Sequence, residues 1–240
     1  MIPKIIHYCW FSGDNKPKTI QTCIDSWARV MPNYTIKCWD DNSFDFDSVP
    51  FVREAMAAKK YAFAADYVRL YALMTEGGIY LDSDVLVKRP FDTFLSNDFF
   101  CGTEAYYIDN ELHYRMEAAI MGSTKDHPFI KKCLSFYHNK EFSVEKAGKE
   151  YVMPKVISEY AQYYGYIYEN IPQKLDRMTI YPTSVFTNTL HQDTSNVNEL
   201  YAIHQNAGSW IDHSDRGWLF RICKKYDYMS FYHWLEQLRK

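Results

Sequence analysis

No window of the chain holds eighteen uninterrupted apolar residues, so the sequence offers no membrane-spanning helix. Nor is one charge sign in excess: 27 Lys+Arg stand against 30 Asp+Glu, a net charge of −3, which leaves no global field for nucleic acid. The six cysteines (9, 23, 38, 101, 133 and 223) include no C-x-x-C pair. They read as reduced core thiols, Cys9 and Cys38 in apolar strand-like segments, of a cytoplasmic protein. There is no G-x-x-x-x-G-K-[ST] loop and no arginine-rich clamp, which counts against phosphotransfer or nucleotidyl transfer. Repeats, low-complexity tracts and long linkers are also absent. Met1-Ile2-Pro3-Lys4 runs straight into a strand pattern, without the apolar stretch of a signal peptide. These absences leave a globular protein of one large domain or two small ones, soluble or peripherally attached to the inner face of a membrane.

What is present is concentrated in Ala62–Val87, AFAADYVRLYALMTEGGIYLDSDVLV. Ala62, Ala65, Tyr67, Leu70, Tyr71 and Leu73-Met74 recur at helical spacing, and Gly77-Gly78 supplies the stop. Asp66 and Arg69 are three apart and share one helix face. Their apolar surroundings predict a buried helix, and buried charges require partners, either each other or a ligand. Ile79-Tyr80-Leu81 and Val85-Leu86-Val87 bracket Asp82 and Asp84 with β-formers, which predicts one central strand. Residues i and i+2 of a strand point to one side, so Asp82 and Asp84 would offer two oxygen ligands to a hard divalent cation. An acidic tripeptide alone carries little weight; its setting gives it meaning.

The pattern A-x-x-A-D-x-x-R-x-x-x-L-x-x-x-G-G-I-Y-x-D-x-D-V resembles the signature of the sugar-transferring DXD glycosyltransferase family. That family groups bacterial capsular-polysaccharide sugar transferases with fungal initiating mannosyltransferases, and is distantly related to clostridial glucosylating toxins. The opening Ile2–Trp10 is similar to the family's first strand, and His204–Trp210 (HQNAGSW) to its C-terminal H-x-x-x-x-S-W motif. Three motifs in order span most of the chain.

Strand and helix alternate along the sequence. Strands are expected at Lys4–Tyr8, Tyr34–Trp39, Phe99–Glu104, Ala118–Met121, Thr179–Phe186 and Leu200–His204. Helices are expected at Lys18–Val30, Val52–Lys60, from Lys125–Pro128 to about Asn139, Glu145–Tyr164 with Pro154 capping or kinking it, and Asp227–Arg239. Such βαβ units predict an α/β fold with a mostly parallel central sheet flanked by helices, the GT-A-type nucleotide-sugar-binding architecture that the resemblance also implies. A single catalytic domain over 1–240 follows, with a donor and metal-binding half at 1–125 and an acceptor side with its closing loop and helix at 126–240. Ligands of such sheets bind beyond the carboxyl ends of the strands, where Trp10, Asp40-Asp41 and Asp82-Asp84 fall.

The resemblance implies a metal-dependent transfer of a hexose from a nucleotide-diphosphate sugar to a sugar acceptor in surface or capsular polysaccharide synthesis, with retention of configuration. A UDP-hexose leads and GDP-mannose follows. A divalent cation, Mn²⁺ or Mg²⁺, would offset the charge growing on the diphosphate. The resemblance implies Asp84 and Asp82 as its ligands, with Asp82 also on the ribose, and His204 as a contact to the metal or to phosphate, or else a structural histidine. It implies Trp10 stacked on the nucleobase, or else packed in the core. Asp66 and Arg69 would hold donor hydroxyls and phosphate, or else join helix to sheet as an ion pair. Ser209 and Trp210 would close over the diphosphate, and Tyr80 would approach the donor if its side chain points that way. A double-displacement route needs a carboxylate beside the anomeric carbon. Glu117 is the candidate, followed by Glu104 and Asp109; an exposed strand-end glutamate is the plain alternative.

Aromatic residues make up 18% of the chain, 21 of them tyrosine, which reads as a Tyr-rich core before it reads as sugar-stacking platforms. Between Arg216 and Lys240 six basic residues face two acids, interleaved with aromatics. That segment suits either a core-completing helix or a contact with an anionic membrane carrying a lipid-linked acceptor. A non-catalytic carbohydrate- or nucleotide-sugar-binding protein on a transferase fold is the competing reading. The intact Asp66, Arg69, Asp82, Asp84, His204 and Trp210 speak against it.

Overall fold

The computed structural model describes residues 1–109, 111–188 and 199–206, all within one compact unit, Met1–Ala207. The first strand, β1 (Ile5–Cys9), is followed by α1 (Lys18–Val30), whose bounds are those the apolar spacing predicts. Ile20, Cys23 and Trp27 form its buried stripe. Next come β2 (Thr35–Trp39), α2 (Pro50–Ala57) and α3 (Tyr61–Thr75). Helix α3 buries Phe63, Ala64, Val68, Leu70 and Leu73 together with Arg69, as its apolar composition dictates. Gly77 and Gly78, at φ +69° and +109°, turn the chain into β3 (Gly78–Leu81). A Cβ on Gly77 would lie 2.7 Å from the Lys125 amide nitrogen, and one on Gly78 2.7 Å from the Ile5 carbonyl. Only glycine fits there.

The remaining strands are β4 (Val85–Val87), β5 (Phe99–Ile108), β6 (Glu111–Ser123), β7 (Gln173–Leu175), β8 (Met178–Tyr181), β9 (Phe186–Asn188) and β10 (Ala202–His204). Between β6 and β7 lie α4 (Pro128–Leu134) and α5 (Met153–Ala161). The large sheet runs β2-β1-β3-β6-β5-β8-β7, and a small one runs β4-β10-β9. The large sheet is mixed rather than mostly parallel. β1 pairs parallel with β2 and β3, and β5 with β8, but β6 is antiparallel to both β3 and β5, and β7 to β8. The cause is a hairpin. The two strands expected at 99–104 and 118–121 extend toward each other as the arms of one β-hairpin, and a hairpin is antiparallel by construction. Its outer part, around Asp109 at φ +50°, leaves Tyr107, Ile108 and Leu112 exposed, so no alternation of buried apolar and exposed polar residues marks it as strand.

Two other expected strands divide. Ile79–Val87 breaks at the aspartates, β3 staying in the large sheet and β4 entering the small one. The stretch 179–186 breaks after Pro182, whose carbonyl accepts from the Val185 amide in a turn before β9. The helix expected over 145–164 shrinks to α5, with Pro154 in its first turn, where the missing N–H costs nothing. The helix expected at 227–239 lies outside the described residues.

Neighbouring residues of the central strands alternate between two apolar clusters, Tyr80 and Phe99 on one side, Ile79, Leu81 and Phe100 on the other. The first side is covered by α2 to α5. The second is covered by α1, whose Trp27 indole donates to the Val85 carbonyl at 2.7 Å and whose Ser26 hydroxyl accepts from the Val87 amide at 3.0 Å. Thus α1 pins β4, and with it the turn that carries the aspartates. Cys9, Cys23, Cys38, Cys101 and Cys133 are free thiols. No helix among the described residues is long and apolar enough to cross a membrane.

Candidate active site

Asp82-Ser83-Asp84 follows the end of β3 directly and forms a turn between two sheets. The Asp82 amide donates to the Ala119 carbonyl at 2.9 Å, the Val85 amide returns to the Asp82 carbonyl at 3.0 Å, and the Gln205 amide donates to the Asp84 carbonyl at 3.1 Å. Backbone hydrogen bonds therefore tie the turn to β6 on one side and to the segment after β10 on the other. The two carboxylates still converge, by turn geometry in place of strand alternation. One ligand atom each from Asp82, Asp84 and His204 lies within 4.8 Å of the others. His204 reaches this point because β10 pairs antiparallel with β4, placing His204 opposite Val85. Two carboxylates and an imidazole form a donor set suited to a hard or borderline divalent ion such as Mn²⁺.

Asp82 sits in a charge cluster centred on Arg69. Arg69 Nη2 contacts Asp82 Oδ1 at 3.0 Å and Asp66 Oδ1 at 3.1 Å, and its Nη1 donates to the Ala118 carbonyl at 2.7 Å. The Tyr80 hydroxyl donates to the same Asp82 oxygen at 2.9 Å, and the guanidinium lies 4.7 Å from the centre of the Tyr80 ring. Tyr80 therefore points toward Asp82, which settles its orientation. Burial disfavours the charge on Arg69, but Asp82, Tyr80 and Asp66 outweigh it and hold the guanidinium charged. Burial lifts Asp66 to about 7 against the pull of Arg69.

The other side of the site is built from His204 and Glu117. His204 Nε2 faces Asp84 Oδ1 at 3.5 Å, and its Nδ1 donates to Glu117 Oε1 at 3.0 Å. Burial works against a charged imidazole, yet the Asp84 charge and the hydrogen bond to Glu117 outweigh it and lift His204 to about 10. Glu117 is neither exposed nor at a strand end: it lies inside β6, 1% exposed, and burial pushes it up to about 7. The register explains its position. Cys101 faces Met121 across the hairpin while Thr103 faces Met116, so Gly102 alone stands opposite 117–120. Bulges of this kind re-aim side chains beside functional sites. Of the other expected carboxylates, Glu104 pairs with Arg115 across the hairpin, and Asp109 sits at its exposed tip.

Trp10 follows β1 and is half-buried, its indole donating to the Asp14 carbonyl at 2.9 Å. Asp40 is occupied locally, its carboxylate accepting from the Asn42 and Ser43 amides at 3.1 Å each. Ser209 and Trp210 lie outside the described residues. Two features escaped the sequence reading. Lys16 places its ammonium 5.4 Å from the Trp10 ring centre, a cation beside the expected base platform, yet no spacing rule marks a lone lysine in a loop. The Glu117–His204 pair joins residues 87 apart in the chain, and only the fold shows it.

Comparison with known proteins supplies the wider setting. A family model described as "Capsular polysaccharide synthesis protein" matches residues 1–212. The chain is 25% identical over 237 residues to "Uncharacterized glycosyltransferase L373" of Acanthamoeba polyphaga mimivirus, covering 93% of this chain and 87% of that protein. It is 31% identical over 146 residues to "Inositol phosphoceramide mannosyltransferase 3" of Schizosaccharomyces pombe, covering 54% of this chain but 35% of the fungal protein, about a third of its length. Among solved structures, "PaToxG Glycosyltransferase" superposes with a TM-score of 0.51 at 21% identity, covering 68% of this chain and 69% of that one. That likeness is one of fold.

Proposed function

The chain belongs to the capsular polysaccharide synthesis protein family and is a glycosyltransferase of GT-A-type fold, and from that premise we propose that it moves a hexose from a nucleotide-diphosphate sugar to a carbohydrate or lipid-linked acceptor. The observation that carries the proposal is the convergence of Asp82, Asp84 and His204 beside the buried Arg69. In this reading the three residues hold a divalent cation, Mn²⁺ or Mg²⁺, which offsets the negative charge of the departing diphosphate. Arg69 keeps a fixed positive charge next to Asp82, which limits the repulsion an incoming diphosphate meets. Tyr80 and Arg69 hold the Asp82 carboxylate in one orientation, so little is lost to reorganisation when the donor enters. Asp66 and Arg69 line the donor sugar, Trp10 stacks on the nucleobase, and Ser209 and Trp210 close over the diphosphate. Transfer proceeds with retention of configuration.

A UDP-hexose is the leading donor. A mannosyl donor is the second reading, favoured by the names of the fungal relatives. The test is nucleotide diphosphate release from a panel of UDP- and GDP-sugars, with Mn²⁺ and with chelator, for the parent chain and Asp84→Asn. The expected result is metal-dependent release from one donor and a loss of about 10²–10³-fold in Asp84→Asn, the cost of removing one preorganised electrostatic group. Chelator-insensitive release would remove the metal role. Absence of both release and nucleotide binding would sink the transfer of a nucleotide-linked sugar.

A further inference from the structure

Glu117 cannot act on a substrate directly. It is 1% exposed, enclosed within β6, and its Oε1 is taken by His204 Nδ1 at 3.0 Å. Its Oε2 is buried with no hydrogen-bond partner among the described residues. The carboxylate occupies a slot opened by Gly102, where a Cβ would come within 3.0 Å of both Oε2 and the Phe186 Cβ. Nothing in this arrangement points outward. Its one partnered oxygen, Oε1, faces the imidazole, whose second nitrogen faces Asp84 at 3.5 Å.

A histidine offers two nitrogens and a ring that can pivot, and the hydrogen bond at one nitrogen decides what the other presents. Carboxylates behind metal-binding imidazoles fix the tautomer and the ring plane and raise ligand basicity, and their removal costs about 10–100-fold in metal affinity. We infer that Glu117 is a positioning residue that holds His204 with Nε2 toward Asp82 and Asp84, so that the cation site includes a nitrogen ligand and not the two carboxylates alone. This rests on the divalent-cation reading above. It also removes Glu117 from the nucleophile role, because a carboxylate sealed behind an imidazole does not reach an anomeric carbon.

The test uses Mn²⁺ alone, titrated into the full chain at fixed pH. Free ion is counted by EPR, and bound ion is examined by pulsed EPR for nitrogen hyperfine coupling. The parent should bind Mn²⁺ with a histidine-type coupling that His204→Ala removes. Glu117→Met keeps the side-chain volume but removes the acceptor; it should weaken binding about 10–100-fold and lose or shift the coupling. Glu117→Gln retains an oxygen for the Nδ1–H and should recover the coupling, which loss of packing alone would not predict. In a His204→Ala background, Glu117→Met should have no further effect on affinity.

Unchanged affinity and coupling in folded Glu117→Met would overturn the inference while leaving the cation site standing, as would equal weakening in the His204→Ala background. Should Glu117→Met fail to fold, folded Glu117→Gln decides the matter: retained coupling supports the inference and lost coupling overturns it. A parent chain that binds no Mn²⁺ at all would overturn both this inference and the metal reading beneath it.

Discussion

Asp82 and Asp84 are two residues apart and face the same site, yet their surroundings differ in kind. Asp82 Oδ1 takes both the Arg69 guanidinium and the Tyr80 hydroxyl, at 3.0 Å and 2.9 Å, in a cluster whose cation stays charged. Asp84 faces His204, at 3.5 Å, a cation only while it carries a proton. Asp82 is held by a permanent charge, whereas the imidazole that Asp84 faces carries a removable one. The difference assigns Asp82 to architecture as well as ligation.

The sharpest way to break this comparison is to remove the permanent charge. Arg69→Met would leave Asp66 and Asp82, with side chains 13% and 27% exposed, without their shared cation. Breaking a buried ion cluster by deleting one member costs about 3–5 kcal/mol, and denaturant titration should show a loss of that size. A loss within the ~0.5 kcal/mol of an ordinary surface substitution would mean that the cluster is already solvated. Tyr80→Phe is milder. It keeps the ring beneath the guanidinium and deletes only the hydroxyl that donates to Asp82, a charged acceptor worth ~1.5–3 kcal/mol. The expected loss lies at the low end, because Arg69 remains on the same oxygen. A neutral result would show that Arg69 alone fixes Asp82.

How legible this was from sequence depends on the range of the interaction that decides each feature. Helix α1 was readable to the residue because Ile20, Cys23 and Trp27 repeat within a single element. The buried Asp66–Arg69 pair was readable for the same reason. The break between β3 and β4 was not. β-formers on both sides of Asp82-Ser83-Asp84 look like one strand, and only the Ala119 carbonyl and the Trp27 and Ser26 side chains direct the halves to different sheets. The hairpin of β5 and β6 reads as two separate strands because its outer arms are exposed and lack a regular apolar–polar alternation, and the parallel-sheet expectation follows from that. The sequence marks Glu117 as the candidate carboxylate beside the anomeric carbon, with an exposed strand-end glutamate as the alternative, and does not reveal its burial inside β6. The long-range pairing of β10 with β4, and the register shift opposite Gly102, determine what it touches.

The smallest effect tests the removable charge itself. His204 is raised from its ordinary range to about 10, so the stability its protonation supplies is complete below its unfolded value near 6.5 and is lost as pH rises through 10. The metal-free chain should therefore lose stability across that window, and His204→Gln should lose less. A coordinated imidazole must be neutral, so Mn²⁺ competes with this proton. Mn²⁺ affinity should rise with pH by up to tenfold per unit, about 1.4 kcal/mol, over the same window, and calorimetry in buffers of different ionisation enthalpy should register the released proton. Asp66 and Glu117 also titrate, burial lifting each to about 7, so it is the slope well above pH 7 that belongs to His204. Asp84 is the strongest of the influences raising His204, and Asp84→Asn should narrow the window even where some metal still binds. An affinity independent of pH would place the proton elsewhere and make the two aspartates electrostatically equivalent.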